Sequence, residues 1–224
     1  MKFPTIKSKK DSLYITLFFL FSIACIAGLR YEQRLEMQKG IAEKIIRFHV
    51  IANSDTKEDQ DLKLAVRDAV GIKMSGILKE AGDRSRSETL ICENMEDMKQ
   101  TAEKVIAERG YDYDVDICLT DTDFPVKTYG AYTFPAGNYE ALEIVIGAGK
   151  GHNWWCVMYP NMCFSDTMYE VIDEDAKSSL KKVLSDEEYQ KVLESGDYKV
   201  RFRYLTFLNQ LCEDNENAYI EKGK

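Results

Sequence analysis

The chain has 224 residues, of which 45% are hydrophobic and 30% are charged, a composition typical of a globular protein rather than a disordered one. Its net charge is −8. The first thirty residues hold five basic residues and one acidic residue, so the remainder has 25 basic against 37 acidic residues and a net charge of −12. Such an acidic body argues against nucleic-acid binding, which depends on a basic surface, and against electrostatic adhesion to anionic lipid.

The N-terminal thirty residues have the pattern of a signal peptide or a membrane anchor. Four lysines between Lys2 and Lys10 precede seventeen residues without charge, from Leu13 to Leu29. A helix of that length is about 25 Å long, slightly shorter than the ~30 Å hydrocarbon core of a bilayer. The lysines predict an N-terminus in the cytoplasm and a body outside it. Cys25-Ile26-Ala27 fits a cleavage site, and the sequence leaves open whether the segment is removed.

The body is expected to begin, after a polar spacer over residues 31–44, with a strand from Ile45 to Ala52. Along this strand apolar and polar residues alternate, and a period of two places them on opposite faces. The apolar set is Ile46, Phe48 and Val50, and the polar set is Arg47 and His49.

Two amphipathic helices are predicted next. Asn53-Ser54-Asp55 ends the strand, and Asp55 with Glu58 matches a capping box for a helix that reaches about Leu78. A second helix is predicted from about Ser87 to Arg109, with Gly110 as its natural stop. The motif Asn53-Ser54-Asp55 therefore has a structural interpretation, as strand end and helix cap, which is favoured over a direct contact with a partner.

The strands that follow are short and bounded by turn residues. From Tyr111 to Leu119, apolar residues alternate with three aspartates and Cys118, which indicates one buried face and one solvated, acidic face. A calcium site at the aspartates is disfavoured because no glycine-bearing loop surrounds them. A short strand from Phe124 to Tyr132 precedes two more, Tyr139–Ile146 and Trp154–Tyr159, which are predicted to form a hairpin.

The composition becomes polar after Asp166. Residues from Glu170 to Glu194 are predicted to form one or two charged helices, on which acidic residues such as Glu187 and Glu188 are expected to be exposed. A short apolar helix or strand is predicted from Val200 to Leu211.

The order of these elements predicts an α+β fold. Two amphipathic helices pack on one face of a mostly antiparallel sheet, with an N-terminal membrane or signal segment and a helical C-terminal tail. The predicted divisions are residues 1–30 for the signal or anchor, 31–44 for the spacer, 45–166 for the α+β domain and 167–224 for the charged C-terminal extension.

The stretch from Phe134 to Asp166 contains both tryptophans, two of the six cysteines and two of the four prolines. Within it, PAGNYEALEIVIGAGKGHNWWCVMYPNMCF resembles the signature of the stage II sporulation protein R family, and the upstream segment IRFHVIANSD, from Ile46 to Asp55, resembles the N-terminal motif of the same family. The resemblance covers roughly residues 41–166. One departure is Asn161, where a second proline beside Pro160 is expected.

This resemblance implies a secreted or membrane-anchored signalling protein made in the forespore of an endospore-forming bacterium. Its place would be extracytoplasmic, in the intermembrane space between forespore and mother cell. The implied partner is a membrane-bound aspartic protease, which this protein switches on and which processes the precursor of the early mother-cell sigma factor. The resemblance implies neither an enzyme nor a cofactor.

The predicted partner-binding residues are Trp154, Trp155, Tyr159 and Phe164, because the energy of protein contacts concentrates in a few large aromatic side chains. Neighbouring residues of a strand point to opposite faces, so one tryptophan should lie in the core and the other should be exposed beside Tyr159 and Phe164. The sequence leaves open which tryptophan is exposed. Packing of both tryptophans beneath the C-terminal helices is the alternative.

Cys156 and Cys163 are predicted to form a disulfide. Six residues separate them, a turn at Pro160 brings the two ends together, and exported thiols tend to be oxidised. No further bridge is assigned among Cys92, Cys118 and Cys212.

The enzymatic alternative is a cell-wall peptide thiol hydrolase that uses Cys156 as nucleophile and His152 as base. A zinc site made of His152, Cys156 and Cys163 is disfavoured because the spacing of the cysteines is longer than in zinc knuckles. A third interpretation is a structural protein of the cell envelope.

Overall fold

The computed structural model describes residues 9–79, 81–162 and 174–194. The chain divides into an N-terminal unit that ends at Lys39 and a body that begins at Gly40. The helices are α1 Lys9–Ala42, α2 Lys57–Leu78, α3 Arg84–Glu93, α4 Met95–Glu108, α5 Glu174–Val183 and α6 Asp186–Glu194. The strands are β1 Ile46–Ile51, β2 Val115–Phe124, β3 Lys127–Tyr129, β4 Tyr132–Phe134, β5 Gly137–Ile146 and β6 Asn153–Tyr159.

The first helix, α1, is long and apolar enough to cross a membrane, which confirms that the N-terminal segment suits a signal or a membrane span. Most of the predicted polar spacer, residues 31–42, continues this helix. The reason is its composition, since residues such as Glu32, Leu35 and Met37 are good helix formers and no proline interrupts them.

The main sheet has four strands in the order β2-β5-β1-β6. The β2–β5 and β1–β6 pairs are antiparallel and the central β1–β5 pair is parallel, so the α+β class and the mostly antiparallel sheet are confirmed. The predicted hairpin of β5 and β6 is wrong, because β1 lies between the two strands. Five of the six residues of β1 are buried, which suits a central strand covered on both faces of the sheet. The hairpin was predicted from turn residues, and turn residues alone cannot show which strands pair.

Helices α2 and α4 pack on one face of this sheet. The N-cap of α2 is Thr56, whose side chain accepts a hydrogen bond from the Asp59 N–H, so the predicted cap at Asp55 is wrong by one residue. The core between sheet and helices includes Phe48, Val50, Leu62, Val66, Val70, Met98, Ala102, Ile106, Leu142, Ile144 and Cys156.

The second predicted helix is two helices, α3 and α4, divided at Asn94. The Asn94 side chain donates to the Leu90 carbonyl oxygen at 2.8 Å, which competes with continuation of the helix. The predicted stop at Gly110 is confirmed. Gly110 has φ +82° and donates to Ala107 O, and Tyr111 donates to Ile106 O, the pattern of a Schellman motif.

The opposite side of the sheet, called the second face here, is partly covered by the β3–β4 hairpin and by α6, which packs on β4. The hydroxyl oxygens of Tyr132 and Tyr189 lie 2.8 Å apart at this contact. Glu188 of α6 is only 7% exposed, so its predicted exposure is wrong. Its Oε2 lies 2.5 Å from Lys44 Nζ and accepts a hydrogen bond from the Ser185 N–H, because this side chain lies on the face of α6 that packs against the rest of the body.

Candidate functional site

The two motifs of the sequence meet at one edge of the sheet. Strands β1 and β5 are parallel, so the loop after Ile51, which carries Asn53-Ser54-Asp55, and the loop after Ile146, which carries the glycine-rich segment Gly147–His152, leave the sheet side by side. Nearly one hundred residues separate the two loops in sequence.

Asn53 joins these loops. Its side-chain oxygen accepts a hydrogen bond from the Ala148 N–H at 2.9 Å, and its backbone oxygen accepts one from the Lys150 N–H at 3.1 Å. Gly147 has φ +57°, and a Cβ there would lie 2.5 Å from Asn53 Oδ1. A Cβ on Gly151 would lie 2.3 Å from the Ser54 backbone oxygen. Two of the glycines are therefore needed for close approach of the two loops.

Asp55 and His152 form the second link between the loops. Asp55 Oδ1 accepts a hydrogen bond from the His152 N–H at 2.6 Å and is in contact with Nδ1 of the same residue. The hydrogen bond from the His152 ring, with that from its backbone N–H, lowers the pKa of Asp55. Both side chains are partly exposed, at 53% for Asp55 and 38% for His152.

Asp59 and Lys63 hold the same loops from α2. Asp59 Oδ2 accepts hydrogen bonds from Asn53 and Ser54, and although burial opposes this change, these bonds lower the pKa of Asp59. Lys63 donates to the His152 carbonyl oxygen at 3.0 Å. Burial, and then the charge of Arg67, lowers the pKa of Lys63 to about 8.

The hydrogen bonds of Asn53, Asp55 and Asp59 hold the two loops together and form a polar surface, and we call this group of contacts the clasp. All six backbone N–H groups from Gly147 to His152 donate within the protein, so the glycine-rich loop offers no free amides for a phosphate. In the described part of the chain, no hydroxyl or thiol is hydrogen-bonded to the His152 ring, and no group of three or more His, Cys, Asp or Glu side chains is arranged to hold a metal ion.

The tryptophans lie on the strand that follows this clasp, and they point to opposite faces of the sheet. Trp154 is on the helix side, with its ring 5.7 Å from that of Phe48 and 4.8 Å from the Arg67 guanidinium carbon. Trp155 is on the second face, stacked on His49 at 4.9 Å with the two planes 1° apart. Its ring also meets the Phe124 ring edge-on at 4.7 Å. Both tryptophans are half-buried. The expectation that one lies in the core and the other is exposed is therefore wrong, although the two side chains do point to opposite faces.

Beneath Trp155, His49 and Arg47 line the second face. His49 is 1% exposed, and burial, followed by the charge of Arg47, lowers its pKa to about 4, so the ring is neutral at physiological pH. Arg47 is fully buried, and its guanidinium carbon lies 4.3 Å from the centre of the Phe124 ring. Its Nε donates to the Cys156 carbonyl oxygen at 2.9 Å, which ties β1 to the tryptophan strand.

The other predicted site residues have different outcomes. Tyr159 is 9% exposed and belongs to the core, so its predicted exposure is wrong; an irregularity in the β1–β6 register near this end accounts for its turn inward. Cys156 is buried and disulfide-bonded. Cys163 and Phe164 lie outside the described residues, so the Cys156–Cys163 pairing and the role of Phe164 stay predictions.

Sequence reasoning missed two residues of this region. Arg47 was placed on a polar face, yet it is buried among aromatic rings, because the β3–β4 hairpin covers that face. Glu143 lies beside His49 in the sheet, with Oε2 3.0 Å from His49 Nε2. Glu143 is one of two carboxylates, with Glu140, in the otherwise apolar strand Tyr139–Ile146, and that was the available signal, but only the parallel register shows that it neighbours His49.

Comparison with known proteins identifies the relatives of this chain. The model of the family described as stage II sporulation protein R matches residues 42–169, which is more than half of the chain. The stage II sporulation protein R of Bacillus subtilis (strain 168) is 31% identical over 188 residues, covering 80% of this chain and 84% of that protein. No solved structure matches. The resemblance identified from the two motifs is thereby confirmed.

Proposed function

The chain belongs to the stage II sporulation protein R family, and on that premise we propose that it is an extracytoplasmic sporulation signal. It activates a membrane-bound aspartic protease, which then processes the precursor of the early mother-cell sigma factor. It acts in the intermembrane space between forespore and mother cell, where it is delivered by its N-terminal apolar helix.

The observation that supports this proposal best is that the two motifs of the family are hydrogen-bonded to each other. Their polar groups bond to one another, and they fix the edge of the sheet from which the tryptophan strand emerges. A catalytic site leaves reactive groups pointing toward a substrate, whereas this arrangement holds a surface in one shape. Activation by contact is the function that such a surface can perform.

The thiol-hydrolase alternative finds no support in the geometry. Cys156 is buried and disulfide-bonded, so its sulfur is not available as a thiolate nucleophile. The His152 ring is engaged with Asp55 at the end of the sheet, and Cys156 lies three residues into strand β6.

The test is co-expression of the chain with the aspartic protease and its pro-sigma substrate in a host that does not sporulate. We expect the precursor to be cleaved only when all three are present, and to stay intact when the active-site aspartates of the protease are replaced. Cleavage that does not depend on this chain would contradict the proposal.

A second arm separates signalling from a structural role in the envelope. The N-terminal 29 residues are replaced by an unrelated cleavable export signal, so that the body is released. Processing by the released body is expected if the protein is a signal, whereas a purely structural envelope component would lose its effect on release.

A further inference from the structure

Part of the second face is left uncovered by the β3–β4 hairpin and α6. Two rows of side chains run across the four strands here, in register: Trp155, His49, Glu143 and Cys118 in one row, and Asn153, Ile51, Val145 and Asp116 in the next. Except for His49, which Trp155 covers, these side chains are exposed or half-buried. We name as the open patch Trp155, Ile51, Val145, Glu143, Cys118 and Asp116.

The centre of the open patch is a carboxylate with neutral neighbours. Glu143 Oε2 lies 3.0 Å from His49 Nε2, and Oε1 lies 3.9 Å from the Cys118 sulfur. His49 is neutral at physiological pH because its pKa is lowered to about 4. Burial, and then the charge of Glu143, raises the pKa of the Cys118 thiol, so it too is uncharged.

No lysine or arginine of the described ranges 9–79, 81–162 and 174–194 pairs with Glu143. Its side chain is only 23% exposed, so water replaces a cationic partner incompletely. The contrast with Glu140 on the other face of the same strand is informative, because that carboxylate is equally exposed but lies 2.7 Å from Arg84 Nη2. The position of Glu143 therefore suits a cation brought by another molecule.

An apolar surface of fixed shape adjoins this carboxylate. Trp155 is held between the His49 ring and the edge of Phe124, with Lys127 Nζ of β3 at 6.0 Å from its ring centre, and Ile51 and Val145 lie in the next row. A preorganised indole loses little side-chain entropy when a partner packs on it. An apolar surface beside a carboxylate is a composition suited to an interface hot spot, in which arginine is a frequent partner residue.

We propose that the open patch is the surface through which this protein contacts the protease, and that the protease supplies an arginine or lysine that pairs with Glu143 beside an apolar side chain that packs on Trp155. This inference rests on the proposed function. A second copy of this chain is the less suitable occupant, because a symmetric contact through the patch would bring Glu143 and Asp116 of one copy toward the same carboxylates of the other.

The test uses the full chain in the three-component co-expression system. Glu143→Lys and Glu143→Gln are compared with Glu103→Lys, a charge reversal at an exposed position of α4 on the helix side of the body. We expect Glu143→Lys to lower processing by at least about tenfold and the nearly isosteric Glu143→Gln to lower it by several-fold, whereas Glu103→Lys leaves it unchanged. The exported amount and the denaturation midpoint of each variant are measured in parallel.

The outcomes distinguish a failure of the open patch as the contact surface from a failure of the proposed function. Full processing by folded, exported Glu143→Gln would overturn the open patch as the contact surface and leave the proposed function standing. Equal loss in Glu103→Lys would also overturn it, because the effect would not be specific to the patch. Absence of processing with the unmodified chain would contradict the proposed function, and the inference falls with it.

Discussion

His49 shows how a single buried residue links this fold to pH. The ordinary pKa of histidine is about 6.5, and burial with the charge of Arg47 lowers the pKa of His49 to about 4. Between these two values the unfolded chain binds a proton that the folded protein does not bind. Stability therefore falls as the pH is lowered from 6.5 toward 4.

The first prediction follows from that difference. His49→Gln removes the titrating group, so the loss of unfolding free energy between pH 7 and pH 4 should be smaller in the variant than in the unmodified protein by about 3 kcal/mol. Urea unfolding of the detergent-solubilised chain at several pH values measures it. Carboxylates that do not contact His49 titrate alike in both proteins and cancel in the comparison. An equal loss in both proteins would show that His49 is not held neutral in the fold.

Gly151 provides a residue-scale test of the clasp. A Cβ at this position would lie 2.3 Å from the Ser54 backbone oxygen, and a backbone atom cannot move aside cheaply. Gly151→Ala should lower the unfolding free energy by about 1–3 kcal/mol through overpacking. Gly76 in α2 is the matched control because a Cβ there meets nothing within 4 Å. Gly76→Ala should raise stability by about 0.5–1 kcal/mol, and equal effects of the two changes would refute the close approach of the loops.

At the scale of elements, the positions of the strands in the sequence were more predictable than the pairing of the strands in the sheet. The strand from Tyr139 to Ile146 and the strand from Trp154 to Tyr159 both exist, since β-branched and aromatic residues between turn residues are a local signal. Their separation by β1 is not local, because it depends on a strand about ninety residues earlier in the chain. Local patterns therefore predict most of the elements, whereas strand pairing depends on contacts between residues far apart in the sequence.

The same limit applies to the candidate site. The opposite orientations of Trp154 and Trp155 follow from strand geometry and were predicted, while their partners His49, Phe124 and Arg67 depend on register and helix packing. The favoured interpretation of Asn53-Ser54-Asp55 as strand end and helix cap is confirmed for the strand end, whereas the cap is Thr56. The bonds of Asn53 and Asp55 to a loop far away in sequence could not be predicted from their neighbours.

Helix α6 offers a prediction at the element scale. Glu188→Ala would leave the Lys44 ammonium and the Ser185 N–H without their acceptor in a half-buried contact. We expect a loss of about 1–3 kcal/mol in unfolding free energy. Glu187→Ala, at the exposed neighbouring position, should stay within ±0.5 kcal/mol. Denaturant unfolding measures both, and similar small effects would show that α6 does not depend on this contact.

For the whole molecule, the distribution of charge predicts the topology. The lysines precede the apolar helix, and the residues that follow it carry a net charge of −12. A reporter enzyme that is active only outside the cytoplasm, fused after Leu211, should therefore be active. A fusion that is active only with a cytoplasm-specific reporter would invalidate this topology.

The central claim is that the body acts by contact from outside the cytoplasm. Processing of the pro-sigma factor in the co-expression host should be measured with the intact chain and with a chain that lacks residues 1–29 and stays in the cytoplasm. We predict cleavage of the precursor with the exported chain and an uncleaved precursor with the retained one. Equal cleavage in both cases, or none with the exported chain, would contradict the account.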